Sequence, residues 1–400
     1  MTEFAGESSI FDYGVFDYLI FDEDLEVSYT PVPIPVYVYT SSMVLKAIID
    51  DYEYFKYEIN WYTCDNWEII INRYKTGVDQ FALGGFIRYN RAGTDRIGII
   101  ERIEKPLDQN GKQSEAWKIS GRGVESIFAN RLCLYNTTAG GGYFTQESVV
   151  AETAARAIVD KECISADASR NFTGLSLESV DSLRGGNVDV TTRYQTVGEA
   201  LENISRQSLL SFKLLWSGSG RNFTFTPYVG TDRSATVQLT PDYGNVGSFN
   251  YLNSIMDLKN IVYVGGTGDA AARTVRHVYT SALPTGWDRR EAFIDGSDCS
   301  SNDLLDKRGE EVLNQSEEQV SLELEYIKSP TFIYQTDFDI GDTITAVFSG
   351  VVTLASRIIS VSEEYSAEGE KITIGLGKEW PDLVRILKNQ RRGYDAETRR

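Results

Sequence analysis

Histidine is almost missing from this 400-residue chain, which has one, His277. A metal site built on several imidazoles is thereby excluded, and a Ser-His-Asp triad has one position to use. Cysteine is scarce too. Cys64, Cys133, Cys163 and Cys299 are far apart, with no CxxC and no close pair. That spacing fits neither a disulfide framework nor a thiolate metal site, and it points to reduced thiols and assembly in a cytoplasm. No run approaches the roughly 18 apolar residues of a membrane span, and the N-terminus MTEFAGESSIFDYG lacks the basic-then-apolar order of a signal peptide. Positive charge is short: 39 Lys and Arg face 58 Asp and Glu, a formal net charge of −19. Gripping nucleic acid needs a basic face, so that role is excluded, although nucleic acid sliding past without sticking is not. The imbalance is uneven. Residues 1–26 hold eight acids and no base, whereas 381–400 carry six bases against three acids.

What is present suggests sheet. Tyrosine (23) and phenylalanine (18) are plentiful and proline (9) is sparse, in a chain 42% hydrophobic and 24% charged. The length predicts several domains. An acidic aromatic arm is expected over 1–29, ordering on a partner, and a first β domain over 30–135. There YFKYEINWYT, WEIIINRY, QFALGGFIRYN, RIGIIERIEK and AWKISGRG alternate between turn residues. Residues 136–255 read as an inserted α+β region. Thr145 is positioned to cap a helix, Thr196 and Glu199 form a capping box for another, and SFKLLW with NFTFTPYV forms a hairpin. A second β domain is expected over 256–380, opened by LKNIVYVGG and ARTVRHVYT and interrupted by one helix near 302–316. A basic helix and tail follow over 381–400.

The two β regions echo each other. Phe81-Ala-Leu-Gly84-Gly-Phe-Ile87 matches Phe338-Asp-Ile-Gly341-Asp342-Thr-Ile344. Arg96-Ile97 and Arg357-Ile358 then open similar strands, and KISGRG (118–123) answers KITIGLG (371–377). Glycine after an aliphatic lets the chain turn with φ > 0, and Asp342 is suited to bond backbone within such a turn. Repetition in the same order predicts an internal duplication, with Phe81, Gly84, Phe338, Gly341 and Asp342 as architectural turn and assembly residues.

Catalytic patterns are weak. His277 lies in an alternating strand beside arginines, without a GxSxG elbow. Glu323 and Glu325 invite a glycosidase reading, but they alternate with Leu322, Leu324 and Tyr326 and so line the wet face of a strand. Gly266-Thr-Gly268 loosely matches a dinucleotide fingerprint, but a strand-like run follows where the fingerprint needs a helix. No catalytic residue, metal site or cofactor is expected.

Four segments, ISGRGVESIFANR (119–131), GGTGDAAAR (265–273), FDIGDTIT (338–345) and IGLG (374–377), occur in an order that resembles the tail-hub proteins of long-tailed bacteriophages, of a type common in phages of Gram-positive hosts. The resemblance spans about residues 30–385. It implies a β-rich α+β fold with two related tail-tube-like barrel or sandwich domains around an inserted α+β region. It also implies a homotrimeric, non-enzymatic hub in the virion, at the distal end of the tail. Such a hub adapts a sixfold tube to a threefold tip and lets DNA pass without stable binding. The implied partners are a distal tail protein or tail-tube hexamer, the tape-measure protein, and a tip, spike or fibre protein. Two other readings remain open: a tail-associated cell-wall hydrolase, and a carbohydrate- or receptor-binding module.

Overall fold

Alternation becomes strand through most of the first region. The computed structural model describes residues 33–377 apart from 108–110, 135–143, 180, 269–271, 281, 298 and 300. The arm expected over 1–29 and the basic helix and tail over 381–400 lie outside the described residues. The first eight strands are β1 (Val36–Tyr39), β2 (Leu45–Ile49), β3 (Tyr54–Asn60), β4 (Asn66–Asn72), β5 (Phe86–Arg91), β6 (Thr94–Ile99), β7 (Arg102–Glu104) and β8 (Ala116–Arg122). In β3, Phe55, Tyr57 and Ile59 are buried while Lys56 and Glu58 face the other way. The strands form two layers, a four-stranded sheet β2-β1-β5-β6 and the run β3-β4-β8-β7. Ile87 and Tyr89 of the first pack against Phe55, Tyr57 and Ile69 of the second.

The middle of the chain adds β9 (Phe144–Val150), α1 (Ala151–Val159), β10 (Leu175–Leu177), β11 (Asn187–Thr192), α2 (Val197–Ser208), β12 (Leu210–Trp216) and β13 (Phe223–Val229). The capping box is present: Glu199 N–H donates to Thr196 Oγ1, and Thr196 N–H to Glu199 Oε2, each at 3.1 Å. The β12–β13 hairpin is also present. The cap expected at Thr145 is not. Residues 144–150 pair with β11 instead, so the helix starts only at Ala151. Strand pairing satisfies every second backbone group there, and it outcompetes a helical turn rich in β-branched valine. The helices and hairpin share a core with Tyr39, Phe86 and Ile97 of the four-stranded sheet and with Met43 of its β1–β2 turn.

The rest comprises β14 (Gln238–Leu239), β15 (Val246–Ser254), β16 (Ile261–Gly265), β17 (Val275–Tyr279), β18 (Glu291–Asp295), α3 (Asn302–Gln315), β19 (Gln319–Tyr326), β20 (Thr343–Phe348), β21 (Val352–Ser366) and β22 (Gly369–Gly377). Two sequence boundaries move. First, β14 and β15 fall within 136–255 by sequence, yet they pair with β20 and β19 and belong with the second region. Second, the helix expected alone within 256–380 comes with β17-β16-β18, a separate three-stranded sheet. LKNIVYVGG and ARTVRHVYT contribute to this insert and not to the main sheet. The insert has its own small core of Val262, Val264, Leu305 and Leu313.

One sheet runs through both β regions, in the order β15-β19-β22-β21-β3-β4-β8-β7. The antiparallel pair β21–β3 joins the halves, from Ser360↔Asn60 to Ser366↔Tyr54. The two β regions expected over 30–135 and 256–380 therefore share one continuous main sheet.

Candidate functional site: paired corners and a shared sheet junction

The two Gly corners make the same three hydrogen bonds. Gly85 N–H donates to Ala82 O (3.0 Å) as Asp342 N–H does to Asp339 O (3.1 Å). Gly84 N–H donates to Ile100 O (2.8 Å) as Gly341 N–H does to Ile358 O (2.9 Å). Ile100 N–H returns to Gly85 O, and Ile358 N–H to Asp342 O, both at 2.8 Å. Both glycines have positive φ, 76° and 89°. Phe81 and Phe338 are buried beside them. The partner of Ile358 is thus Ile100 and not Ile97, three residues from the match the letters suggest.

The pairing map repeats as well. In the first unit β3 pairs β4, β4 pairs β8, β8 pairs β7, and β5 pairs β6. In the second β15 pairs β19, β19 pairs β22, β22 pairs β21, and β20 pairs β21. The long β21 does the work of β6 and β7 together, its first half on β20 and its second on β22. Strand for strand, β15-β19-β22-β21 is followed in the sheet by its counterpart β3-β4-β8-β7.

The corners differ in what covers them. A Cβ on Gly84 would meet nothing within 4 Å, and the neighbouring Leu83 is 66% exposed. A Cβ on Gly341 would lie 1.8 Å from Trp61 Cζ3. Trp61, just after β3, donates its backbone N–H to Ile359 O at 2.9 Å, and its ring packs edge-on to Tyr228. Asp342 does more than form a turn. Its Oδ2 accepts from Asp339 N–H (3.1 Å) and Arg233 Nε (2.8 Å), and its Oδ1 accepts from Thr231 N–H (2.7 Å). It therefore ties the corner to the chain leaving the middle region.

Sequence reasoning missed Glu363. It sits on β21 opposite Tyr57 of β3, at the junction, and is fully buried. Oε2 accepts from Tyr89 OH (2.9 Å) and Tyr365 OH (3.1 Å), and Oε1 from Tyr334 OH (3.1 Å). Burial holds the Tyr89 and Tyr334 phenols well above their ordinary range, so they remain donors. Arg91 Nε lies 3.9 Å from Oε2. Hydroxyls from both units converge on one carboxylate, which fixes the register of the junction. The signal was legible: Val361, Glu363 and Tyr365 alternate, so Glu363 had to face inward.

The opposite face of the sheet is polar, with acids interleaved among bases. Lys56 is 3.8 Å from Glu364 across the junction, Lys118 is 2.6 Å from Glu68, and Arg102 is 2.9 Å from Glu104. Glu323 and Glu325 stand on this face. Glu323 is exposed opposite Asn250 and Gly375, and Glu325 Oε2 accepts from Ser248 Oγ at 2.9 Å. Neither is enclosed as an acid catalyst must be. His277 is exposed on β17, away from both carboxylates' strand. The loop at Gly266 leads into that strand, its Gly265 and Gly266 carbonyls accepting from Arg273. Among the described residues no cluster of ligating side chains suits a metal, and no helix is long and apolar enough to cross a membrane.

Comparison with known proteins agrees with this geometry. The family model described as Siphovirus ReqiPepy6 Gp37-like protein matches residues 35–378. Among solved structures, the chain is similar to a 43 kDa tail protein of prophage MuSo2 from Shewanella oneidensis. The TM-score is 0.55 at 13% identity, over 86% of this chain and 98% of that one. A tail protein from Neisseria meningitidis MC58 gives 0.51 at 13% identity, over 87% and 97%. Prophage tail protein gp18 from Listeria monocytogenes EGD-e gives 0.51 at 12%, over 90% and 99%. At these identities the likeness is one of fold. No curated protein matches the sequence.

Proposed function

We propose, for a chain that belongs to the Siphovirus ReqiPepy6 Gp37-like family of phage tail proteins, that three copies close into a ring at the distal end of the tail. The protein is a structural component of the virion tail. The observation that carries the ring is the repeated strand order with its two free edges. Within one chain, β21 of the second unit pairs β3 of the first. The counterparts of these strands, β7 and β15, are the two ends of the sheet among the described residues. Repeating the same step between copies sets β7 against β15 of the next, leaving no open edge. Two units per chain and three chains give six similar positions, matching a sixfold tube on one side and a threefold tip on the other.

Details support the step. Glu363↔Tyr57 at the internal junction corresponds to Ile103 against Phe249 between copies, by the registers of β8 with β22 and of β4 with β19. Phe249 is 39% exposed. The bare corner at Leu83–Gly84 is where a neighbour would supply the counterpart of Trp61. The segment after β15 has Ile255 at 48% and Met256 at 75% exposure, apolar surface suited to cover it. The polar face would line the passage. Lys56 and Lys118 on it are paired with glutamates and so offer phosphates little uncompensated charge.

The test is a cysteine pair, Ile103→Cys with Phe249→Cys, oxidised in the otherwise native chain. A covalent ladder ending at three copies, and rings in negative stain, is the expected result. Either single variant should stay uncrosslinked. Exclusive monomer, or a ladder running on past three, would overturn the reading.

A further inference from the structure

The insert of β16, β17, β18 and α3 plays no part in the ring step, and among the described residues one of its faces is uncovered. The helix covers the other face: Leu305 and Leu313 pack on Val262 and Val264, and Gly309 lets the helix approach Val278 closely. On the open side the register sets three rings abreast, His277 opposite Tyr263 and Tyr263 opposite Phe293. Tyr279 follows on the same face, its ring 6.0 Å from that of His277 and inclined by only 17°. Tyr279 and Phe293 are 39% and 40% exposed, and Trp287, on the loop entering β18, is wholly exposed at 102%. A singly exposed apolar side chain such as Trp287 is ordinary, but Tyr263, His277, Tyr279 and Phe293 together on one face are not.

The charges on this face define what fits it. Arg289 pairs with Glu291 and also donates to Tyr263 OH, which holds that ring in place. Arg273 pairs with Asp295 and lies 5.3 Å from the centre of the Phe293 ring. Each cation is matched by an acid, so the face is locally neutral despite the acidic chain. In these two pairs an anionic polymer finds no unmatched cation, and a basic peptide no unmatched carboxylate. An uncharged polyol finds what it needs. The rings offer flat surfaces for the C–H faces of sugar rings, and the fixed guanidinium–carboxylate pairs offer adjacent donors and acceptors for vicinal hydroxyls.

We propose that the open face of the β17-β16-β18 sheet is a binding platform for a neutral polysaccharide. The site is separate from the ring-forming strands, and its test does not depend on ring closure. The full chain is titrated with hexasaccharides of β-1,4-linked N-acetylglucosamine, β-1,4-linked glucose and α-linked rhamnose, and with poly(glycerol phosphate). Calorimetry and tryptophan emission are the readouts. Binding of at least one neutral hexasaccharide at about millimolar Kd is expected, weakened about tenfold or more by Tyr279→Ala and by Phe293→Ala. Leu83→Ser, on the first corner, should leave it unchanged. Four results would each overturn the assignment: no binding by any neutral probe, binding indifferent to both aromatic variants, binding of poly(glycerol phosphate) alone, or self-association of the chain through Trp287.

Discussion

Gly341 and Gly84 have the same backbone and different surroundings, which makes them a controlled pair. Alanine at either must adopt the left-handed region, at about 1–2 kcal/mol. At Gly341 it must also displace the Trp61 ring, 1.8 Å from the new Cβ, adding about 1–3 kcal/mol of overpacking. Urea unfolding should therefore show Gly341→Ala destabilised by about 2–5 kcal/mol, and Gly84→Ala by about 1–2 kcal/mol. Equal costs would mean that Trp61 yields freely. A second residue-scale prediction concerns pH. Burial, and then the negative charge of Asp65, pushes the Glu125 carboxyl up to about 7 from an ordinary 4.5. Burial likewise lifts Asp65 to about 6, against the pull of Arg96, the Asn60 N–H and the Tyr57 hydroxyl, with Glu363 adding to the lift. Glu125 Oε1 accepts from Leu214 N–H at 3.1 Å, while Oε2 and Arg96 Nε are buried with no hydrogen-bond partner among the described residues. An acid whose folded pKa is raised stabilises the fold fully below its unfolded value, and that contribution is lost as pH rises through the folded one. The urea midpoint should fall between about pH 4.5 and 7, and Glu125→Gln should flatten that fall. An unchanged slope in the variant would assign the pH dependence elsewhere.

Single elements were legible where one local rule was enough. The alternation of β3 and β22 and the capping box of α2 each name their structure outright. The start of α1 did not, because Thr145 is equally a helix cap and a strand residue, and only the distant β11 decides between them. The three-stranded insert was hidden for a similar reason. IVYVG and VRHVY look like any strands, and nothing local says that β16 pairs in parallel with β18, and not with the main sheet. Its helix was legible at nearly its observed span, but the reason Gly309 stands on it was not. A Cβ there would lie 2.5 Å from Val278 Cγ2 and 3.1 Å from Val264 Cγ2. Gly309→Val should thus pry α3 from its strands at a local cost of about 1–3 kcal/mol. Amide exchange should quicken across residues 261–315 while β3 and β21 keep their protection. Uniform quickening across the chain would show that the insert is not an independent cooperative unit.

At the scale of the molecule, the duplication was visible in the letters but its register was not. The corners matched, yet the long strand was aligned on Ile97, because one unit breaks it between β6 and β7 and the other does not. Hydrogen bonding restores the correspondence: the isoleucine that closes each corner comes sixteen residues after Gly84 and seventeen after Gly341. The same map says what is dispensable. In the first unit, β3 and β4 are joined by residues 61–65 alone. In the second, their counterparts β15 and β19 are separated by the whole insert, although Ser254 and Gln319 face each other as partners at the end of the pair. The insert thus enters and leaves at one point, and closing that point with a short turn adds little chain entropy. Replacing residues 255–318 with Asn-Gly, which favours a two-residue hairpin turn, should leave the main sheet folded with its β-rich circular dichroism. In the Ile103→Cys, Phe249→Cys background this shortened chain should still crosslink to three copies, less efficiently for want of Ile255 and Met256, while losing all hexasaccharide binding. A shortened chain that folds but no longer crosslinks would place the inter-copy contact on the insert and not on the edges of the sheet. One that crosslinks and still binds sugar would move the glycan site onto the ring.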